Sequence, residues 1–255
     1  MKAAIEGLYT VFAGYTRPPT FVGCVCCWEG VELPDGQGRK VRSPGGPAPL
    51  RALNAKELAD LASQVPHLGG DTNLLKHYLP RVLEIATVGG GFDWPDLEVI
   101  VGHFAYRHVD DPEIVPWSAW PERERLAVQR FLRALWRDSL TAEAETLAVD
   151  VALCAAGLVD DDIDWYLDAW LRFEHPNAAG HLERFLMDNV QYLPRNRLAN
   201  AYWNTDTPPA AENRSRIAAW SKAQSTLMAV ANAADHARTP AEREALEECY
   251  LRWLG

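Results

Sequence analysis

Pro121-Glu122-Arg123-Glu124-Arg125-Leu126-Ala127-Val128-Gln129-Arg130-Phe131-Leu132-Arg133-Ala134-Leu135-Trp136 sets the fold class of this chain. At a turn of roughly 100° per residue, Val128, Phe131, Leu132, Leu135 and Trp136 share one face. A strand would alternate every second residue, so the stretch reads as an amphipathic helix with proline in its first turn.

The same punctuation recurs on both sides. Ile5, Leu8, Tyr9 and Phe12 stand at helical spacing within residues 2–16. Asn54 with Glu57 forms a capping-box pattern. Asp71 is placed to cap a helix reaching about Val88, which Gly89-Gly90-Gly91 stops. Trp94-Pro95 after Asp93, Thr141, and Asp160 each mark a further helix start. In the helix after Asp160, Ile163, Leu167, Trp170 and Leu171 point inward. Segments near 177–190, 194–203, 209–235 and 240–254 complete the set, the last opened by Thr239-Pro240. After residue 53 there is no hairpin signal. The expected fold is all-α: a multi-helix bundle or a short irregular α-solenoid of antiparallel helix pairs. One domain, 1–255, is expected. Glu122–Leu126 is echoed at Glu242–Leu246, but no fixed period appears.

Residues 17–53 differ. They hold Pro18-Pro19, then Cys24-Val25-Cys26-Cys27-Trp28, then a run rich in glycine and proline. This predicts an irregular cysteine-bearing segment, with one short strand within Phe21–Trp28 and a mobile surface loop over 34–49.

Of the 255 residues, 48% are hydrophobic and 24% charged, as in ordinary globular proteins. The 25 Lys plus Arg against 35 Asp plus Glu give a net charge of -10. That balance disfavours nucleic acid and anionic membranes, and makes a basic protein the better partner. No apolar run approaches the roughly 20 residues of a membrane span. Met1-Lys2 is followed by Glu6 inside the first apolar segment, without a cleavage site. The expected setting is a reducing cytoplasm.

Five cysteines without a secretory signal argue against a disulfide framework. Cys154 and Cys249 fall on apolar helical faces and read as small core residues. Cys24, Cys26 and Cys27 leave three readings open. Zinc takes four tetrahedral ligands and favours thiolate, so a turn could gather all three thiols on one ion. A second cysteine pair is missing, so a histidine would have to complete a Cys3His site. His77 is the preferred fourth ligand; His67, His103 and His108 are the other candidates. The second reading is a reactive thiol site, against which stand the absence of a Cys-x-x-Cys unit at a helix start and of a flanking basic residue to lower a thiol pKa. The third is structural thiols without chemistry.

His77 lies on a polar stripe with Asn73, Arg81 and Glu84, beside Leu74, Tyr78, Val82 and Ile85. The stripe reads either as a His–Arg–Glu cluster that holds an anion or supports a metal ligand, or as a solvated charge stripe. Pro80 either kinks this helix or starts another. Gly23-Cys24-x-Cys26-Cys27, Gly70-Asp71 leading into His77-Tyr78-Leu79-Pro80-Arg81-x-Leu83-Glu84, and Trp120-Pro121 with Glu124 together resemble a family of uncharacterised bacterial proteins. The resemblance covers about the first 140 residues. It implies no reaction, but it joins the cysteine cluster and the His77 helix in one pattern.

Asp160-Asp161-Asp162-Ile163-Asp164 fails the calcium-loop pattern, since Trp165 and Leu171 stand where Gly and Glu are needed. Trp165 projects away from Ile163 and Leu167, either into a second packed layer or as an exposed partner anchor. Nucleophile-elbow, phosphate-loop, dinucleotide and His-Glu-x-x-His motifs are absent. The first functional expectation is non-enzymatic protein binding, as an adaptor or neutralising protein with a basic partner. The alternative is a zinc-thiolate protein on Cys24, Cys26, Cys27 and His77.

Overall fold

Asn54 caps its helix as the sequence requires. Its side chain accepts from the Glu57 amide at 3.1 Å, and the Glu57 carboxylate accepts from the Asn54 amide at 2.9 Å. Both orphan donors are thereby satisfied. This holds in a computed structural model that describes residues 1–36, 38–64, 72–87, 91–105, 115–143, 149–204 and 208–254. The signals at Asp71, Gly89 and Gly90 lie outside the described residues. The molecule is helical, as expected, with one small sheet in its N-terminal part. Met1–Phe131 and Leu132–Gly255 form two compact units, and the boundary falls inside one helix.

The first unit contains α1 (Lys2–Phe12), β1 (Thr20–Gly23), β2 (Val31–Glu32), β3 (Arg39–Arg42), α2 (Ala55–Ser63), α3 (Thr72–Thr87) and α4 (Leu97–Ala105). Ile5, Leu8 and Phe12 bury one face of α1, which packs against α3. α3 runs unbroken through Pro80, which is itself buried. The polar stripe of α3 is therefore continuous, but it is not merely solvated. Glu84 accepts from the Tyr9 hydroxyl at 2.6 Å and from Arg81 at 2.8 Å, while Arg81 Nε donates to the Leu53 carbonyl.

The 34–49 stretch is more ordered than its composition suggests, because β3 lies inside it. β3 is the central strand of an antiparallel sheet in the order β1-β3-β2. Phe21 faces Val41 across β1 and β3, and both are buried. Their alternation is only one residue deep on each strand, too short to show as a period-two pattern.

α5 (Glu122–Thr141) spans the unit boundary, and Val128, Phe131, Leu132, Leu135 and Trp136 are all buried. The second unit continues with α6 (Val149–Gly157), α7 (Ile163–Leu171), α8 (Pro176–Asn189), α9 (Pro208–Ser221), α10 (Gln224–Asp235) and α11 (Pro240–Leu254). Trp170 anchors its core, edge-on to Trp136 at 5.0 Å and stacked on Trp220 at 5.6 Å. Cys154 and Cys249 are buried, as expected.

Several helix signals act differently in three dimensions. α4 starts at Leu97, after Pro95. Thr141 is the last residue of α5, and its hydroxyl donates back to the Asp138 carbonyl. The segment expected as a helix over 194–203 holds only short 3-10 turns, Leu193–Arg195 and Ala201–Asn204. Asp160 is not the cap of α7. Its carboxylate instead accepts from Arg133, the Tyr166 hydroxyl and the Asp162 amide. Trp165 is neither layered between helices nor a bare anchor. The guanidinium groups of Arg133 and Arg137 lie 4.9 Å and 5.2 Å from its ring centroid.

Candidate metal centre at the Cys24–Cys27 turn

β1 ends at Gly23, and the chain then turns through Cys24–Cys27. The Trp28 amide donates back to the Cys24 carbonyl at 3.3 Å, closing the turn. Trp28 is 7% exposed and stands edge-on to Phe21, with ring centroids 5.1 Å apart. Its side chain fixes the end of the turn against the sheet. A Cβ on Gly23 would lie 2.6 Å from the Trp28 ring, so only glycine lets the indole close over the strand end. From the paired position on β3, Arg39 donates to the Trp28 carbonyl at 3.2 Å.

This frame aims the three thiols at one another. Cys24 Sγ is 2.9 Å from Cys26 Sγ, and Cys26 Sγ is 3.2 Å from Cys27 Sγ. All three sulfur atoms lie within 4.8 Å of one another. Cys26 is exposed, and Cys24 and Cys27 are partly so. In an extended segment Cys27 would face the opposite side; the turn brings it round.

The thiols share one proton system. Burial pushes Cys24 up, but hydrogen bonds from the side chains and amides of Cys26 and Cys27 outweigh it, leaving Cys24 below the usual thiol range. Cys27 is pushed up to about 12, chiefly because it donates to its two neighbours. Cys24 therefore gives up its proton more readily than Cys27, which resists ionisation. A bound cation removes that resistance, because metal coordination supplies the missing positive charge.

His77 does not join this set. Among the described residues, no histidine or carboxylate stands with the three thiols. His77 Nδ1 lies 2.8 Å from the Tyr15 carbonyl. A carbonyl only accepts, so Nδ1 carries the proton, and Nε2 is buried without a hydrogen-bond partner. Burial and the charge of Arg17 hold the ring below the usual histidine range. The next residue, Tyr78, donates to the Pro44 carbonyl at 2.9 Å. Pro44 follows the Thr20–Arg42 end of the sheet, where the Ser43 amide donates to the Pro19 carbonyl, whereas the thiol turn leaves from the Gly23–Arg39 end. Three residue steps along β1 span roughly 10 Å. His103 lies in α4 and is also outside the set; His67 and His108 lie outside the described residues.

A second polar cluster in this unit has no local signature in the sequence. Lys76 Nζ lies 2.8 Å from Glu124 Oε2, with the two side chains 6% and 0% exposed. Tyr15 donates to Glu124 Oε1 at 2.7 Å, and Lys76 stands 4.4 Å from the centroid of Trp120. Every charge there has its counterpart, so the cluster is structural. No protein-family model, curated protein or solved structure matches the chain.

Proposed function

We propose that the N-terminal unit binds a thiophilic divalent metal ion, zinc first, through the thiolates of Cys24, Cys26 and Cys27. The observation that carries this is the convergence of three sulfur atoms within 4.8 Å at a turn fixed by Trp28 and Gly23. Thiolate is the preferred donor of zinc, and binding releases the protons that the thiols otherwise share. The reading places the chain in a reducing compartment such as the cytoplasm, where the thiols stay free. No helix among the described residues is long and apolar enough to cross a membrane.

The test is metal content of protein purified without a histidine tag or chelator, with thiols counted before and after chelation. One zinc per chain and three thiols freed by chelator is the expected result. No metal, with three freely reacting thiols at the outset, rejects the reading.

A second reading, non-enzymatic binding of a protein partner, has one observation in its favour. Val22 and Val31 flank Lys40 in one row across the sheet. Together with Val25 in the thiol turn they stand 40%, 72% and 38% exposed. Exposed apolar side chains grouped on one face mark interaction surfaces. Co-purification compares the intact chain with Val31→Glu; a partner retained equally by both removes the sheet from this reading.

A further inference from the structure

On the reading that Cys24, Cys26 and Cys27 hold a metal ion, we infer that no side chain among the described residues fills its fourth coordination position, which stays open. That position takes an exogenous thiolate from a small molecule. The three sulfur atoms are gathered within four consecutive residues, and no histidine or carboxylate among the described residues stands with them. The buried, unpartnered Nε2 of His77 is the right type of atom, but it stands outside the thiol set. Its ring is held by Tyr15, whose hydroxyl is in turn held by Glu124 beside Lys76. Swinging His77 to the turn would forfeit the Nδ1 hydrogen bond.

The open side faces solvent, because Cys26 is exposed and Cys24 and Cys27 only partly covered. Zinc with three protein ligands and a free fourth position is the arrangement of exchangeable and catalytic sites, not of closed structural ones. Three thiolates on a divalent ion leave a net charge of about -1, with water as the resting fourth ligand. A small thiol can displace that water: the metal–oxygen bond breaks, a metal–sulfur bond forms, and the thiol proton goes to solvent. No electrons move. Soft donors already on the ion favour a soft fourth. Arg39, anchored on the Trp28 carbonyl, supplies positive charge beside the turn, and exposed Val22 and Val25 offer an apolar rim to the organic part of the ligand.

The experiment loads the full chain with cobalt(II) under anaerobic conditions and titrates in 2-mercaptoethanol. The thiolate-to-cobalt charge-transfer band is expected to gain about one third in intensity as three thiolates become four, while the ligand-field bands remain tetrahedral. His77→Ala and the more conservative His77→Gln, both checked for helical circular dichroism, are expected to leave the starting spectrum unchanged. An unchanged spectrum on adding thiol, or a His77 variant that alters the ligand-field bands, overturns the open position but keeps the metal site. Cobalt stripped from the protein by the thiol overturns it too. No cobalt spectrum at all, in the intact chain as in Cys24→Ser, overturns the underlying metal reading instead.

Discussion

The thiol turn and the Lys76–Glu124–Tyr15 cluster lie in one unit and follow opposite rules. The turn draws its groups from four consecutive residues, stays partly exposed, and sets its sulfur atoms against one another with no opposite charge among the described residues gathered on them. The buried cluster joins residues 61 and 109 positions apart, and each charge meets its opposite at hydrogen-bond distance. Gathering polar groups is common to both; saturation separates them. A saturated cluster rigidifies the fold, whereas an unsaturated one keeps bonding capacity for a ligand.

Lys76→Ala tests the buried side of this contrast most strongly. It leaves the Glu124 carboxylate in the interior without its cation, and urea unfolding at pH 7 is expected to lose about 3–5 kcal/mol. Lys76→Met with Glu124→Leu is expected to recover most of the loss, since apolar replacement removes the unpaired charge. A loss below about 1 kcal/mol would show that water reaches Glu124, and the cluster would then not count as saturated.

Next in size is the response of the turn to metal. Free zinc at a hundredfold excess over its dissociation constant is expected to add about 2.7 kcal/mol to stability, read as a shift in the thermal midpoint. Cys24→Ser is expected to abolish that gain while staying within about 0.5 kcal/mol of the metal-free parent. An equal gain in the variant would move the metal away from the turn.

Asp150 is an intermediate case, a partly buried carboxylate whose Oδ1 has no hydrogen-bond partner among the described residues. Burial pushes it up from the ordinary 3.8 to about 6, against the neighbouring polar side chains of Asn200 and Trp203 and with repulsion from Asp188. Its folded value lies above its unfolded one, so the folded state binds more protons between about pH 4 and 6. Stability from this group is present below that window and falls as pH rises through it. Asp150→Asn is expected to be more stable than the parent by about 2 kcal/mol at pH 7, with the difference gone near pH 4. Paired denaturation curves at the two pH values check this, and equal differences at both would refute the burial account.

The smallest effect is kinetic. In metal-free protein near pH 7, Cys24 is expected to alkylate roughly tenfold or more faster than Cys27, because only thiolate reacts. Mass mapping after brief iodoacetamide treatment gives the order, and a reversed order would contradict the shared proton system described above.

The amphipathic face of α5, the capping box at Asn54 and the buried Cys154 and Cys249 were legible because each depends on residues within a turn or two. The thiol cluster was legible as composition for the same reason. The sheet beneath it was not, since β1 and β3 each bury a single large side chain, Phe21 and Val41, and β2 is two residues long. Asp160 read as a helix cap because local acidity suits a helix N-terminus, yet Arg133 from α5 claims its carboxylate.

Helical class, acidity and the presence of three neighbouring thiols follow from residue order alone, because periodicity, charge and spacing are local quantities. Which groups meet does not. Packing turns His77 to the Tyr15 carbonyl and leaves it outside the thiol set, and burial pairs Lys76 with Glu124 across a separation that no short pattern encodes. Those are consequences of chain packing, where desolvation makes a partner obligatory and distance decides which partner is found.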